Sequence, residues 1–153
     1  MKLINKLYIN GEWVDAKSKK VFTSNNPATG EKLAELPLAG SDEAKSSIQS
    51  ANKAFELWNE LTAFDRADLL YKLADMIEDN REELAELMTK EQGKPLYESR
   101  MEVEGSFKIF RLHAEEAKRI NGEILQRMDN NKRNFVNQEP IGVVAAITPW
   151  NFP

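Results

Sequence analysis

The 153-residue chain contains no cysteine and only one histidine. Without thiols, neither a disulfide framework nor a thiolate metal site can be built from these residues. His113 stands alone in a stretch with helical patterning. It has no second metal ligand at i+4 and no neighbouring nucleophile, so it is read as structural. No stretch approaches the ~18 consecutive apolar residues needed to span a bilayer, and Met1-Lys2-Leu3-Ile4-Asn5-Lys6 has no apolar core of signal-peptide length. A cytoplasmic location is the default expectation, with no membrane partner. The charge imbalance is small as well: the formal net charge is -4, and the one basic cluster is Lys17, Lys19 and Lys20. Binding a polyanion needs clustered Lys and Arg, so no nucleic-acid partner is expected and the three lysines are read as a solvated turn.

What is present is globular. Hydrophobic residues make up 41% and charged residues 30%, with no low-complexity tract. Residues 7–14 alternate around Asn10-Gly11, a pair that tolerates the positive φ values of a two-residue type I′ turn, so the chain opens with a β-hairpin. A second pair of extended pieces surrounds Asn26-Pro27-Ala28-Thr29-Gly30, where proline fixes φ and glycine permits reversal.

From Ser41, read as an N-cap, the period becomes helical. Ala44, Ile48, Ala51, Phe55 and Trp58 fall on one face, predicted to look into a core. Thr62 is predicted to cap a second helix with Leu70, Leu73, Ala74 and Ile77 on its buried side. Asn80 with Glu83 is predicted to open a third as a capping pair, and Gly93-Lys94-Pro95 to close it. A fourth helix carries Val103, Phe107, Phe110, Ala114 and Ala117, with Asn121-Gly122 expected at its end. Gly105 within it costs about 1 kcal/mol relative to alanine unless another backbone packs close.

Gln92-Gly93-Lys94-Pro95 has the outline of a phosphate-loop ending. Met88 stands where the first glycine belongs and Pro95 where Ser or Thr belongs, so the mechanism is absent. Strand signals return in residues 124–128 and 133–137, a third hairpin around Asp129-Asn130-Asn131-Lys132. The stretch Ile141-Gly142-Val143-Val144-Ala145-Ala146-Ile147 is apolar on both faces, as a strand covered by two helix layers must be. Such a strand needs parallel neighbours and crossover helices, which no residues remain to supply, so a truncated sheet is expected. Ligands of open α/β sheets bind beyond the carboxyl ends of the strands, which makes Thr148, Pro149, Trp150 and Asn151 candidates. Pro149 restricts the turn, and Pro153 suits the first turn of a following helix.

The closing Pro149-Trp150-Asn151-Phe152-Pro153 resembles the corresponding turn of the aldehyde dehydrogenase superfamily. The Tyr8-Ile9-Asn10-Gly11-Glu12-Trp13 hairpin, the Asn-Pro-Ala-Thr-Gly-Glu turn at residues 26–31 and Met88-Thr89-Lys90-Glu91-Gln92-Gly93-Lys94-Pro95 extend the likeness over almost the whole chain. The resemblance implies the N-terminal part of an aldehyde dehydrogenase-like α/β fold. Hairpins and four helices would lead into the first strand of a Rossmann-like cofactor domain. It assigns residues 1–122 and 139–153 to the cofactor-binding domain and the hairpin at 123–138 to oligomerisation, as a homodimer or homotetramer at full length.

It further implies that Asn151 is a catalytic hydrogen-bond donor to the oxygen that becomes anionic when a cysteine thiolate adds to an aldehyde. Thr148, Pro149, Trp150 and Asn151 would line the site of NAD or NADP. The nucleophile and the glutamate base are not assignable among these residues, so the chain alone is expected to be inactive, and its exposed final strand to drive instability or association. Glu91-Gln92-Gly93-Lys94-Pro95-Leu96, Ala114-Glu115-Glu116-Ala117-Lys118-Arg119-Ile120 and Ala145-Ala146-Ile147-Thr148-Pro149 look most like succinate-semialdehyde dehydrogenases. A dehydrogenase for another aldehyde and a non-enzymatic helical assembly module remain as alternatives.

Overall fold

A computed structural model describes residues 5–152. The expected helix opening at Pro153 and the first four residues of the segment read for a signal peptide lie outside that range. The described chain is α/β, running through four short strands, four helices and two further strands. Its strands pair as three separate two-stranded antiparallel sheets.

In the first hairpin, β1 (Leu7–Ile9) pairs with β2 (Glu12–Val14), and Tyr8 faces Trp13 with ring centroids 4.9 Å apart. Asn10 at φ 54° and Gly11 at φ 79° supply the two positive φ angles that the I′ turn requires. β3 (Val21–Asn25) and β4 (Lys32–Pro37) form the second. Its turn is fixed by the Asn26 side chain, whose Oδ1 accepts from the Ala28 amide at 2.9 Å.

Helix α1 is Ser41–Glu60, and here two expectations change. Its N-cap is Gly40, not Ser41. No side chain caps the first helical amides; Glu43 instead reaches back, its Oε2 accepting from the Gly40 amide at 2.7 Å and its Oε1 from the Lys17 amide at 2.9 Å. The Lys17 amide first, and the Gly40 amide second, hold this carboxyl below the usual carboxylate range. The apolar stripe forms, but it is largely uncovered, with Ile48 55% and Trp58 41% exposed. Of the other elements it packs chiefly on β1.

The core instead lies among α2 (Ala63–Asp79), α3 (Arg81–Gln92) and α4 (Leu96–Ala117), with α2 against α4 the most extensive pairing. Thr62 caps α2 as predicted, exchanging hydrogen bonds with Asp65 in a capping box. Ala67, Ala74, Ala85 and Ala114 are buried, as are Val103 and Phe107; Leu73 is half exposed. Small residues at such contacts let helix axes approach closely. Arg111 of α4 donates to Asp75 at 2.7 Å and to Glu78 at 2.5 Å on α2, and these hydrogen bonds raise its pKa.

Three further details depart from the sequence reading. Asn80 occupies the N-cap of α3 without capping it, because its amide donates back to the Met76 carbonyl at 2.8 Å. α4 ends at Ala117, short of Asn121-Gly122, through tight bonds from the Lys118 amide to Glu115 and from the Arg119 amide to Glu116. Gly122 serves the third hairpin, β5 (Glu123–Leu125) with β6 (Asn134–Val136), since a Cβ there would stand 2.5 Å from the Val136 carbonyl oxygen. Gly105 has nothing within 4 Å of a built Cβ. Gly105→Ala is therefore expected to stabilise α4 by about 1 kcal/mol, read as greater hydrogen-exchange protection of its amides.

Residues 141–147 are not a strand in this structure. A strand is defined by its ladder, and no described residue pairs with this segment, in which Ile141 is 94% and Ile147 96% exposed. Val143 and Val144 lie alongside α1, forming an apolar groove with Phe55, Leu57, Trp58 and Leu61.

Candidate active site

The structure gathers the closing turn and the α3–α4 junction into one place. Helix α3 terminates because Gly93 adopts φ 83°, and its amide donates to the Thr89 carbonyl at 2.9 Å. A Cβ at Gly93 would meet Pro27 Cγ at 2.8 Å, so the second hairpin's turn presses on this point and only glycine fits. Pro95 then precedes α4. Between them Lys94 projects a side chain that is only 14% exposed and pairs with Glu102 of α4, itself 13% exposed. As the sequence implied, this is a helix terminus and not a phosphate loop.

Pro149 to Phe152 form a turn closed by the Phe152 amide on the Pro149 carbonyl at 3.1 Å. Two side chains from the junction hold it. Gln92 Nε2 donates to the Trp150 carbonyl at 2.7 Å, and Lys94 Nζ to the Asn151 carbonyl at 3.0 Å. The same ammonium lies 5.0 Å from the centre of the Phe152 ring, within cation–π range. These contacts were not visible in the sequence, where Gln92 and Lys94 lie 58 and 57 residues from their partners and no periodicity relates them.

All four candidate residues, Thr148, Pro149, Trp150 and Asn151, are exposed, Trp150 at 84%. The Asn151 main chain is fixed, while its carboxamide has no hydrogen-bond partner among the described residues. The turn thus offers a primary amide from Asn151, a hydroxyl from Thr148 and an exposed indole from Trp150. A cleft of about 500 Å³ beside the turn is lined by Phe22, Pro27, Met88, Gln92 and Trp150 among others. His113 lies exposed on α4, and among the described residues no three carboxylates or imidazoles group as a metal site.

The chain is 45% identical over 146 residues to a 3-sulfolactaldehyde dehydrogenase of Pseudomonas putida, covering 95% of this chain and 30% of that protein. It is 44% identical over 145 residues to the NADP(+) succinate-semialdehyde dehydrogenase of Escherichia coli, with the same two coverages. The chain thus spans about 30% of the length of these curated relatives. Among solved structures, a betaine aldehyde dehydrogenase of Staphylococcus aureus in complex with NAD+ superimposes with a TM-score of 0.93 at 33% identity, over 99% of this chain and 31% of that one. Residues 13–153 match the profile of the aldehyde dehydrogenase family, and the chain belongs to that family.

Proposed function

We propose that this chain contributes Asn151 as oxyanion-stabilising donor to an enzyme that oxidises an aldehyde to its carboxylate with NAD or NADP. The observation that carries the reading is the Asn151 amide: its main chain is anchored from the α3–α4 junction while its carboxamide is left free at an exposed turn. A primary amide donates a hydrogen bond without surrendering a proton, which suits an oxygen whose charge grows as a nucleophile adds to the carbonyl.

The nucleophile is a cysteine supplied from outside these residues, since this chain has none. Its thiolate adds to the aldehyde carbon, the C–H bond breaks with its electron pair leaving as hydride, and a thioester remains. A glutamate-activated water then releases the carboxylate and returns the thiolate. When bound, the nicotinamide supplies the hydride acceptor. Thr148, Pro149 and Trp150 line its groove, and the chain alone is inactive.

Succinate semialdehyde is the favoured substrate, supported by the 44% identity to a dehydrogenase named for it. The equally similar sulfolactaldehyde enzyme favours a second reading, another short aldehyde that carries an acid group. Residues 123–138 serve assembly into a dimer or tetramer, and the enzyme is cytoplasmic, with no nucleic-acid or membrane partner. Among the described residues no helix is long and apolar enough to cross a membrane. The complete enzyme is expected to reduce nicotinamide with succinate semialdehyde at a higher kcat/KM than with a neutral aldehyde of the same length. A preference for the neutral aldehyde would remove the substrate assignment and leave the reaction type standing.

A further inference from the structure

We infer that Gln92 and Lys94 are positioning residues for the Asn151 carboxamide, acting through the main chain on either side of it. This rests on the oxyanion role proposed for Asn151.

The turn cannot be rigid by its own means. It has one internal hydrogen bond, follows a segment without a ladder, and exposes Trp150 and Phe152 at 84% and 61%. What it does have is two donors on consecutive carbonyls, Gln92 on Trp150 and Lys94 on Asn151. Fixing two successive carbonyl oxygens fixes the peptide planes that bracket Asn151, and with them the direction of its Cα–Cβ bond. That sets the origin from which the carboxamide can reach and leaves both of its donor hydrogens free.

The clamp is itself anchored. Gln92 sits on the last turn of α3, whose end is set by the Gly93 conformation and by Pro27. Lys94 has three donors on one nitrogen and can serve Glu102, the Asn151 carbonyl and the Phe152 ring together. The Glu102 carboxylate neutralises the ammonium, so Lys94 acts on the geometry of the turn and not as a second charge opposite the oxyanion.

The test uses the complete enzyme, with rates expressed per cofactor site counted by equilibrium titration. Lys94→Met and Gln92→Met are each expected to lower kcat about 10- to 100-fold, the scale of a 1 Å misplacement, with the cofactor KM little changed. In an Asn151→Ala background either substitution is expected to have almost no further effect, because the group being aimed has gone. A merely structural role would lower thermal stability and reduce turnover by the same factor in both backgrounds, which overturns the inference. If Lys94→Met does not yield soluble enzyme, Gln92→Met decides alone. Full turnover in Asn151→Ala removes the oxyanion reading itself; full turnover in the two clamp variants, with Asn151→Ala impaired, removes only the positioning role.

Discussion

In the complete enzyme, Asn151→Ala is expected to lower kcat by about 10²–10³, equivalent to about 2.7–4 kcal/mol of lost transition-state stabilisation. The direction follows from when the charge appears. A ground-state carbonyl oxygen is a modest acceptor that water serves almost as well, whereas the tetrahedral adduct carries a full negative charge that a donor already in place stabilises far more. Removing the amide therefore costs the transition state and spares the ground state, so the cofactor KM should barely move while kcat falls. Asn151→Asp is the sharper control. It is nearly isosteric, yet an ionised carboxylate only accepts hydrogen bonds and repels the oxyanion, so it should be at least as damaging as alanine. Rapid-mix measurement of the first turnover locates the defect: a slowed burst places Asn151 at or before hydride transfer. A normal burst followed by slow steady-state turnover would place it at thioester hydrolysis. Unchanged turnover in both variants would end the assignment.

Features decided by a few adjacent residues were legible in the sequence. Asn10-Gly11 forces a hairpin because both residues must take positive φ, and they do. Thr62 with Asp65 closes a capping box because both groups lie within one turn. Where two local solutions competed, the tertiary setting chose. Ser41 was passed over as N-cap because Glu43 also reaches the Lys17 amide and so ties α1 to the chain before β3. Asn80 lies between two helices and bonded to the one behind it, at Met76, leaving its capping role unused.

Segment 141–147 failed for a different reason. Its composition reports the environment it suits, a covered position in a parallel sheet, whereas forming a strand needs a ladder partner, which no described residue supplies. The closing turn was legible as a candidate site from its motif, but the grip of Gln92 and Lys94 on it was not, because a single side chain reaching a carbonyl leaves no repeating pattern.

The largest effect expected on the fold comes from Phe107→Ala. Phe107 is 5% exposed on the α4 face that also buries Val103 and Ala114, and the Arg111 guanidinium lies 5.3 Å from its ring centre. Truncation removes a whole ring and leaves a cavity whose walls cannot easily close. α4 is tied to α2 by the Arg111 bonds to Asp75 and Glu78, and to α3 by the Thr89–Ser99 hydroxyl pair at 2.9 Å with Ser99 fully buried. A site that cannot collapse lies at the costly end for aromatic truncation, about 3–5 kcal/mol. The loss should appear as weaker hydrogen-exchange protection across α2 and α4 together, since the two helices share this face. Gly105→Ala, two residues away on the same helix, should shift the same amides in the opposite direction. That contrast separates core packing from helix propensity: equal and small changes in both variants would mean that α4 is held by its own backbone and not by the α2 contact. Because α4 carries Glu102 and hence anchors Lys94, Phe107→Ala should also loosen the closing turn, so its loss of activity should exceed the loss of folded enzyme.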